Sequence, residues 1–214
     1  MAQNDIKNGS QNPVWFVGAG PGDPELITVK GQKLLAAADL VVYAGSLVPE
    51  ALLDWTRPDT EILNSAGMHL DEIVSAMETG FREGRKVVRL HTGDPSLYGA
   101  VFEQMSALRQ RGIPYRVVPG VTAAFAAAAS LGIEYTLPEV TQTLILTRME
   151  GRTPVPQTEN LEALAAHRAS MAIYLSIHLV GKVGEILSNA YGPQAPCVVA
   201  YRISQPEERM LVTT

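Results

Sequence analysis

The chain has 214 residues, 46% hydrophobic and 18% charged, with a formal net charge of −5, which fits one large or two small globular domains. Its single cysteine, Cys197 in an apolar run, excludes an intramolecular disulfide and points to a reduced, buried thiol and a cytoplasmic setting. Residues 1–12 read as a polar disordered tail without export-signal features. No apolar stretch approaches the roughly 20 residues of a membrane span, and net acidity without a basic run argues against nucleic acid as partner.

In chain order, Val14 to Ala19 reads as a buried strand, followed by a glycine-proline turn and a helix from Pro24 to Ala38. Leu40 to Tyr43 is the next strand. Leu70, Ile73, Val74, Met77 and Phe81 share one face of a helix that stops at Gly84. Lys86 to Leu90 is a strand, Val101, Phe102, Met105 and Leu108 mark a helix ending before Gly112, and Tyr115 to Val118 is a strand closed by Pro119-Gly120. This alternation implies parallel strands with right-handed crossovers, an α/β domain over 13–120. A second α/β domain, 121–214, opens on the alanine-rich helix Val121 to Leu131, a candidate hinge. It continues with strands at Thr143 to Leu146, Ala172 to Leu175, Cys197 to Tyr201 and Met210 to Val212, and helices near Asn160 to Ala166 and Leu179 to Tyr191. Arg148 to Thr158 reads as an irregular loop.

Three turns follow strands at their carboxyl ends: Gly18 to Asp23, Gly93-Asp94-Pro95, and Pro119 to Ala124. Ligands of open parallel sheets bind at that edge, so the turns are expected to form one crevice. It is no ordinary phosphate cradle. The dinucleotide fingerprint needs glycine where Asp23 stands, and Gly-Lys followed by Ser or Thr occurs nowhere. No Gly-x-Ser-x-Gly is present, and His69, His91, His167 and His178 lack metal-ligand spacing, so neither a hydrolase nor a metal site is expected. His91 lies near the crevice, with structural hydrogen bonding and acid-base work both open. Asp94 is either a turn cap or a ligand contact.

With their surroundings these turns resemble those of the tetrapyrrole methylases, over residues 14 to 214. Val17 to Thr28, Gly93-Asp94-Pro95 with Tyr98-Gly99, and Pro119 to Ala123 carry the general likeness. Tyr43 to Val48, Pro138 to Thr143 and Thr147 to Pro156 look like the precorrin-4 C11-methyltransferases of cobalamin synthesis, acting on the metal-free ring or its cobalt form. Ala44 stands where relatives that make precorrin-2 usually have an acid, which speaks against that first-step activity. The resemblance implies two α/β domains with S-adenosylmethionine in the cleft between them, S-adenosylhomocysteine as product, and a homodimer. The cofactor pocket would take Pro21, Thr92, Gly93, Asp94, Leu97, Thr122 and Ala123, with Leu175 and Ile203 from the second domain. Thr92 replaces a usual glycine and Leu175 a frequent methionine. No catalytic base is assigned. Arg148 and Arg152 are expected as clamps for the macrocycle's carboxylates. Relatives usually continue past Thr214 through a helix and strand, so the second sheet is expected to lack an element. An RNA or protein methylase of the same fold, or a non-catalytic S-adenosylmethionine-binding protein, are the alternatives.

Overall fold

The structure, a computed structural model, describes residues 12–151 and 153–214. The expected N-terminal tail up to Gln11 and the expected clamp Arg152 lie outside the described residues. Two compact units are present. One comprises the described residues up to Ala123 with Arg202–Glu207, the other Ala124–Tyr201 with Glu208–Thr214. The segment carrying Ile203, expected in the second domain, therefore belongs to the first unit.

Five short strands form the first unit's sheet: β1 (Val14–Gly18), β2 (Leu40–Tyr43), β3 (Glu61–Asn64), β4 (Val87–His91) and β5 (Tyr115–Val118). Their spatial order is β3-β2-β4-β1-β5, and every pair is parallel. Alternate residues of the inner strands serve two cores because a strand's side chains point to opposite faces. Val14, Phe16, Leu40, Val42 and Val87 pack with α2 (Leu70–Arg82) and α3 (Val101–Gln110). Val17, Val41, Tyr43, Val88 and Leu90 pack on the other face with Leu35 of α1 (Val29–Ala36) and with Leu52. Helices thus cover both faces.

Two elements differ from expectation. The helix sought over 24–38 is a 3-10 turn, Pro24–Leu26, then α1: Asp23 accepts from Glu25 N at 2.8 Å, and Thr28 restarts the chain by accepting from Gly31 N at 3.1 Å. Two N-caps in succession interrupt the helix. The edge strand β3 has exposed Glu61, Ile62 and Asn64, so no apolar alternation announces it. In α2, Ile73, Val74, Met77 and Phe81 are buried as their spacing requires, whereas Leu70 at the first turn is exposed.

The second unit contains α4 (Ala123–Leu131, from the unit boundary), β6 (Leu144–Arg148), α5 (Leu161–Ala165), β7 (Ser170–Tyr174), α6 (Val180–Tyr191), β8 (Cys197–Tyr201) and β9 (Arg209–Thr213). β6 and β7 pair in parallel across α5, but β8 and β9 are antiparallel and form a separate two-stranded sheet. The expectation of parallel pairing fails there because the link 202–208 is too short for a crossover helix.

Met77 of α2 is fully buried in the core that α2 and α3 share with the sheet. Met77→Ala is expected to destabilise the fold by about 2–5 kcal/mol, read from urea denaturation.

Candidate active site

The three glycine turns leave adjacent strands, β4, β1 and β5, at one end of the sheet. α1 departs from β1 to one face and α3 from β4 to the other, the strand arrangement that opens a ligand crevice in α/β sheets. The turns touch backbone to backbone. Gly20 N donates to Gly93 O at 3.3 Å, Gly93 N to Gly20 O at 2.8 Å, and Ala19 N to His91 O at 2.7 Å. A Cβ on Gly18 would stand 2.6 Å from Gly120 Cα and 2.7 Å from Gly93 O, and one on Gly120 would stand 2.1 Å from Gly93 O. Only glycine permits this approach.

Asp94 ties the second turn to the third. Its Oδ2 accepts from Gly120 N at 2.9 Å, while Oδ1 accepts from Ser96 N at 2.8 Å and from the Ser96 hydroxyl. Burial works against the charged carboxylate, but the hydrogen bonds from Ser96 and Gly120 outweigh it and hold its pKa below the ordinary value. Of the two readings left open by the sequence, the side chain makes the cap, and it also bridges two loops.

Gly93 differs from its neighbours. Its φ is +59°, and a Cβ there would meet only Thr122 Cα, at 3.9 Å. Open space therefore lies beside this backbone, bordered by the third turn, a cradle that fits a ligand needing close approach. Thr92 O accepts from the buried His91 ring at Nδ1, 2.7 Å away. Burial chiefly lowers the pKa of His91, so the ring is neutral at pH 7 and built into the turn. Two residues before His91 on β4, the buried Arg89 donates to Gln104 Oε1 at 3.0 Å and Val42 O at 3.1 Å. Desolvation brings its pKa down to about 10, and it has no carboxylate partner among the described residues. Sequence reasoning passed over Arg89, although a charge inside the apolar run Val87 to Leu90 is a visible signal.

The first unit also holds the other expected residues of these turns. Pro21 is buried, its carbonyl accepting from Gln205 Nε2 at 3.3 Å, and the same segment buries Ile203. Leu97 N closes the second turn on Asp94 O at 3.2 Å, Thr122 is buried, and Ala123 opens α4. In the second unit, Leu175 follows β7 with φ +56° and 65% exposure. A branched apolar side chain held exposed in the left-handed region is the kind of strain found at binding sites. Ser176, buried beside it, accepts from Met149 N at 2.9 Å and donates to Tyr174 O at 2.7 Å. Arg148 donates to the carbonyls of Met149, Thr153 and Pro154 at 3.2, 3.0 and 3.0 Å. Its fork thus shapes the loop that the sequence assigned to clamping, and its charge has no acid partner among the described residues.

Because the folded pKa of Asp94 lies below 3.8, its contribution is fully present above the unfolded value and disappears as pH falls through the folded one. Asp94→Asn is expected to lose about 1.5–3 kcal/mol of stability at neutral pH. The gap from wild type should narrow in urea titrations as pH falls through the lowered folded pKa, where the Asp94 side chain loses its charge.

Residues 13–214 match the family Tetrapyrrole (Corrin/Porphyrin) Methylases. The chain is 51% identical to the cobalt-precorrin-4 C(11)-methyltransferase of Methanocaldococcus jannaschii, over 92% of this chain and 77% of that protein. It is 50% identical to the precorrin-4 C(11)-methyltransferase of Pseudomonas aeruginosa, over 92% and 79%. Among solved structures, a cobalt precorrin-4 methyltransferase of cobalamin biosynthesis superimposes with a TM-score of 0.92 at 49% identity, covering 98% of this chain and 88% of that one. The uroporphyrin-III C-methyl transferase of Thermus thermophilus, complexed with S-adenosyl homocysteine, matches with a TM-score of 0.77 at 28% identity over 94% and 83%. An α/β sheet whose glycine turns knot together at one edge, matched over nearly its whole length, places this chain in the tetrapyrrole methylase family.

Proposed function

We propose that the protein transfers a methyl group from S-adenosylmethionine to ring carbon C11 of precorrin-4 or cobalt-precorrin-4. The observation that carries the reading is the open face of Gly93 in a knot of three backbone turns, on a chain about half identical to enzymes named for both substrates. Bound S-adenosylmethionine would supply a methyl already activated by its sulfonium. The chain's part is then placement. Oriented reactants gain effective molarities of about 10⁵–10⁸ M, against about 10²–10⁴-fold from one general acid or base. Pro21, Thr92, Gly93, Asp94, Leu97, Thr122 and Ala123 hold the cofactor, with Leu175 and Ile203 contributing apolar surface. Asp94 keeps the second and third turns in register. A neutral, buried His91 bonded to Thr92 O serves the turn's geometry. Arg148 and Arg152 attract the ring's carboxylates, Arg148 through a charge that its carbonyl partners leave uncompensated. No helix among the described residues is long and apolar enough to cross a membrane. A cytoplasmic homodimer acting on a tetrapyrrole macrocycle, without nucleic acid, completes the reading.

Incubation with methyl-labelled S-adenosylmethionine and, separately, precorrin-4, its cobalt form and bulk RNA tests this directly. Label should enter a corrinoid at C11; label in RNA alone, or none in either ring, overturns the assignment. Gly93→Val sets a branched side chain in the open space and in an unfavourable φ. Calorimetry should show S-adenosylhomocysteine affinity falling by about a hundredfold or more, as a lost ligand contact surface and a steric block together require.

A further inference from the structure

The segment Tyr43 to Val48 belongs to the narrower likeness, yet none of the turns described above uses it. It leaves β2 at the same sheet edge, and Asn64 at the end of β3 braces it. Asn64 Oδ1 accepts from Gly45 N at 3.2 Å and from Ala66 N at 2.9 Å. The amide lies so close over Gly45 that a Cβ there would stand 2.3 Å from its nitrogen. Beside it, Ser65 Oγ donates to Tyr43 O at 2.9 Å. Two backbone N–H groups can face only an acceptor, so the amide's assignment is settled: its oxygen takes both backbone bonds and its two N–H groups are left as donors. Those donors have no partner among the described residues, and Asn64 is exposed. An aspartate would brace the turn equally well. What the amide adds is a fixed, neutral donor on an acidic chain.

The donor lies on the ligand edge of the sheet. β3 is two strands from β4, about 10 Å at ordinary strand spacing, a separation suited to a large ring beside Gly93. Leu47, 56% exposed on the braced segment, adds apolar surface next to the donor. Resting on the function proposed above, we infer that Asn64 is a substrate-binding residue whose amide N–H groups hold one rim carboxylate of the tetrapyrrole.

Fluorescence titration with uroporphyrin, a stable polycarboxylate tetrapyrrole, reads binding without turnover. Asn64→Asp keeps both backbone bonds but turns an oxygen toward the anionic ring, and Asn64→Ser replaces the two amide donors with one hydroxyl on a shorter side chain, without adding charge. Asn64→Asp should weaken uroporphyrin binding and raise KM for the precorrin substrate by about tenfold or more, and Asn64→Ser by about threefold or more. S-adenosylhomocysteine affinity should stay at the wild-type value in both. Ser65→Ala removes the neighbouring brace and leaves the amide, so its ring affinity should stay within about twofold of wild type. Wild-type ring affinity in both Asn64 variants overturns the inference, as does an equal loss in Ser65→Ala, which would assign the effect to the brace. A wild-type protein that neither binds uroporphyrin nor methylates either ring overturns the functional reading, and this inference with it.

Discussion

Contact between bare backbones at the sheet's carboxyl edge is the constraint on which the site depends. Gly18, Gly93 and Gly120 come from three turns far apart in the chain, and a single added Cβ on Gly18 or Gly120 would overlap peptide atoms of another turn. Packed peptide groups cannot rearrange as side chains do, so the gap between the turns has essentially one shape. Asp94 makes that shape cohesive by placing a charged acceptor on Gly120 N. The open side of Gly93 is consequently a rigid cradle rather than a flexible loop.

This rigidity suits methyl transfer, which needs alignment more than proton traffic. The titratable groups around the crevice agree with that division of labour. Asp94 accepts hydrogen bonds from Ser96 and Gly120, and His91 is buried and kept neutral. Arg89 is locked to Gln104 and Val42. Each supports the edge from within.

Much of the first unit was legible because its strands are buried on both faces and its helices keep their period. Val14, Phe16, Val41 and Val88 are apolar wherever they point, and Ile73, Val74, Met77 and Phe81 repeat as a helix must. β3 was not legible, since an exposed edge strand of four residues has no buried alternation to display. The antiparallel pairing of β8 and β9 was hidden for another reason: strand propensity carries no direction. Among candidate site residues, the turns were found through their glycines. Asn64 and Ser176 were missed, because a lone Asn or Ser acquires meaning only from the backbone groups that fold against it.

The amino-acid sequence by itself determined the α/β class and the strand-turn-helix units, since these follow from local periodicity and from glycine and proline at fixed offsets, while the family came from the resemblance of its turn motifs to known ones. Only the tertiary structure decided that β4, β1 and β5 are neighbours, that Asp94 reaches Gly120, that Ile203 joins the first unit, and that Arg148 holds carbonyls of its own loop. Those outcomes depend on which distant segments meet, and backbone N–H and C=O groups, identical at nearly every residue, leave no mark of their partners in the one-dimensional chain.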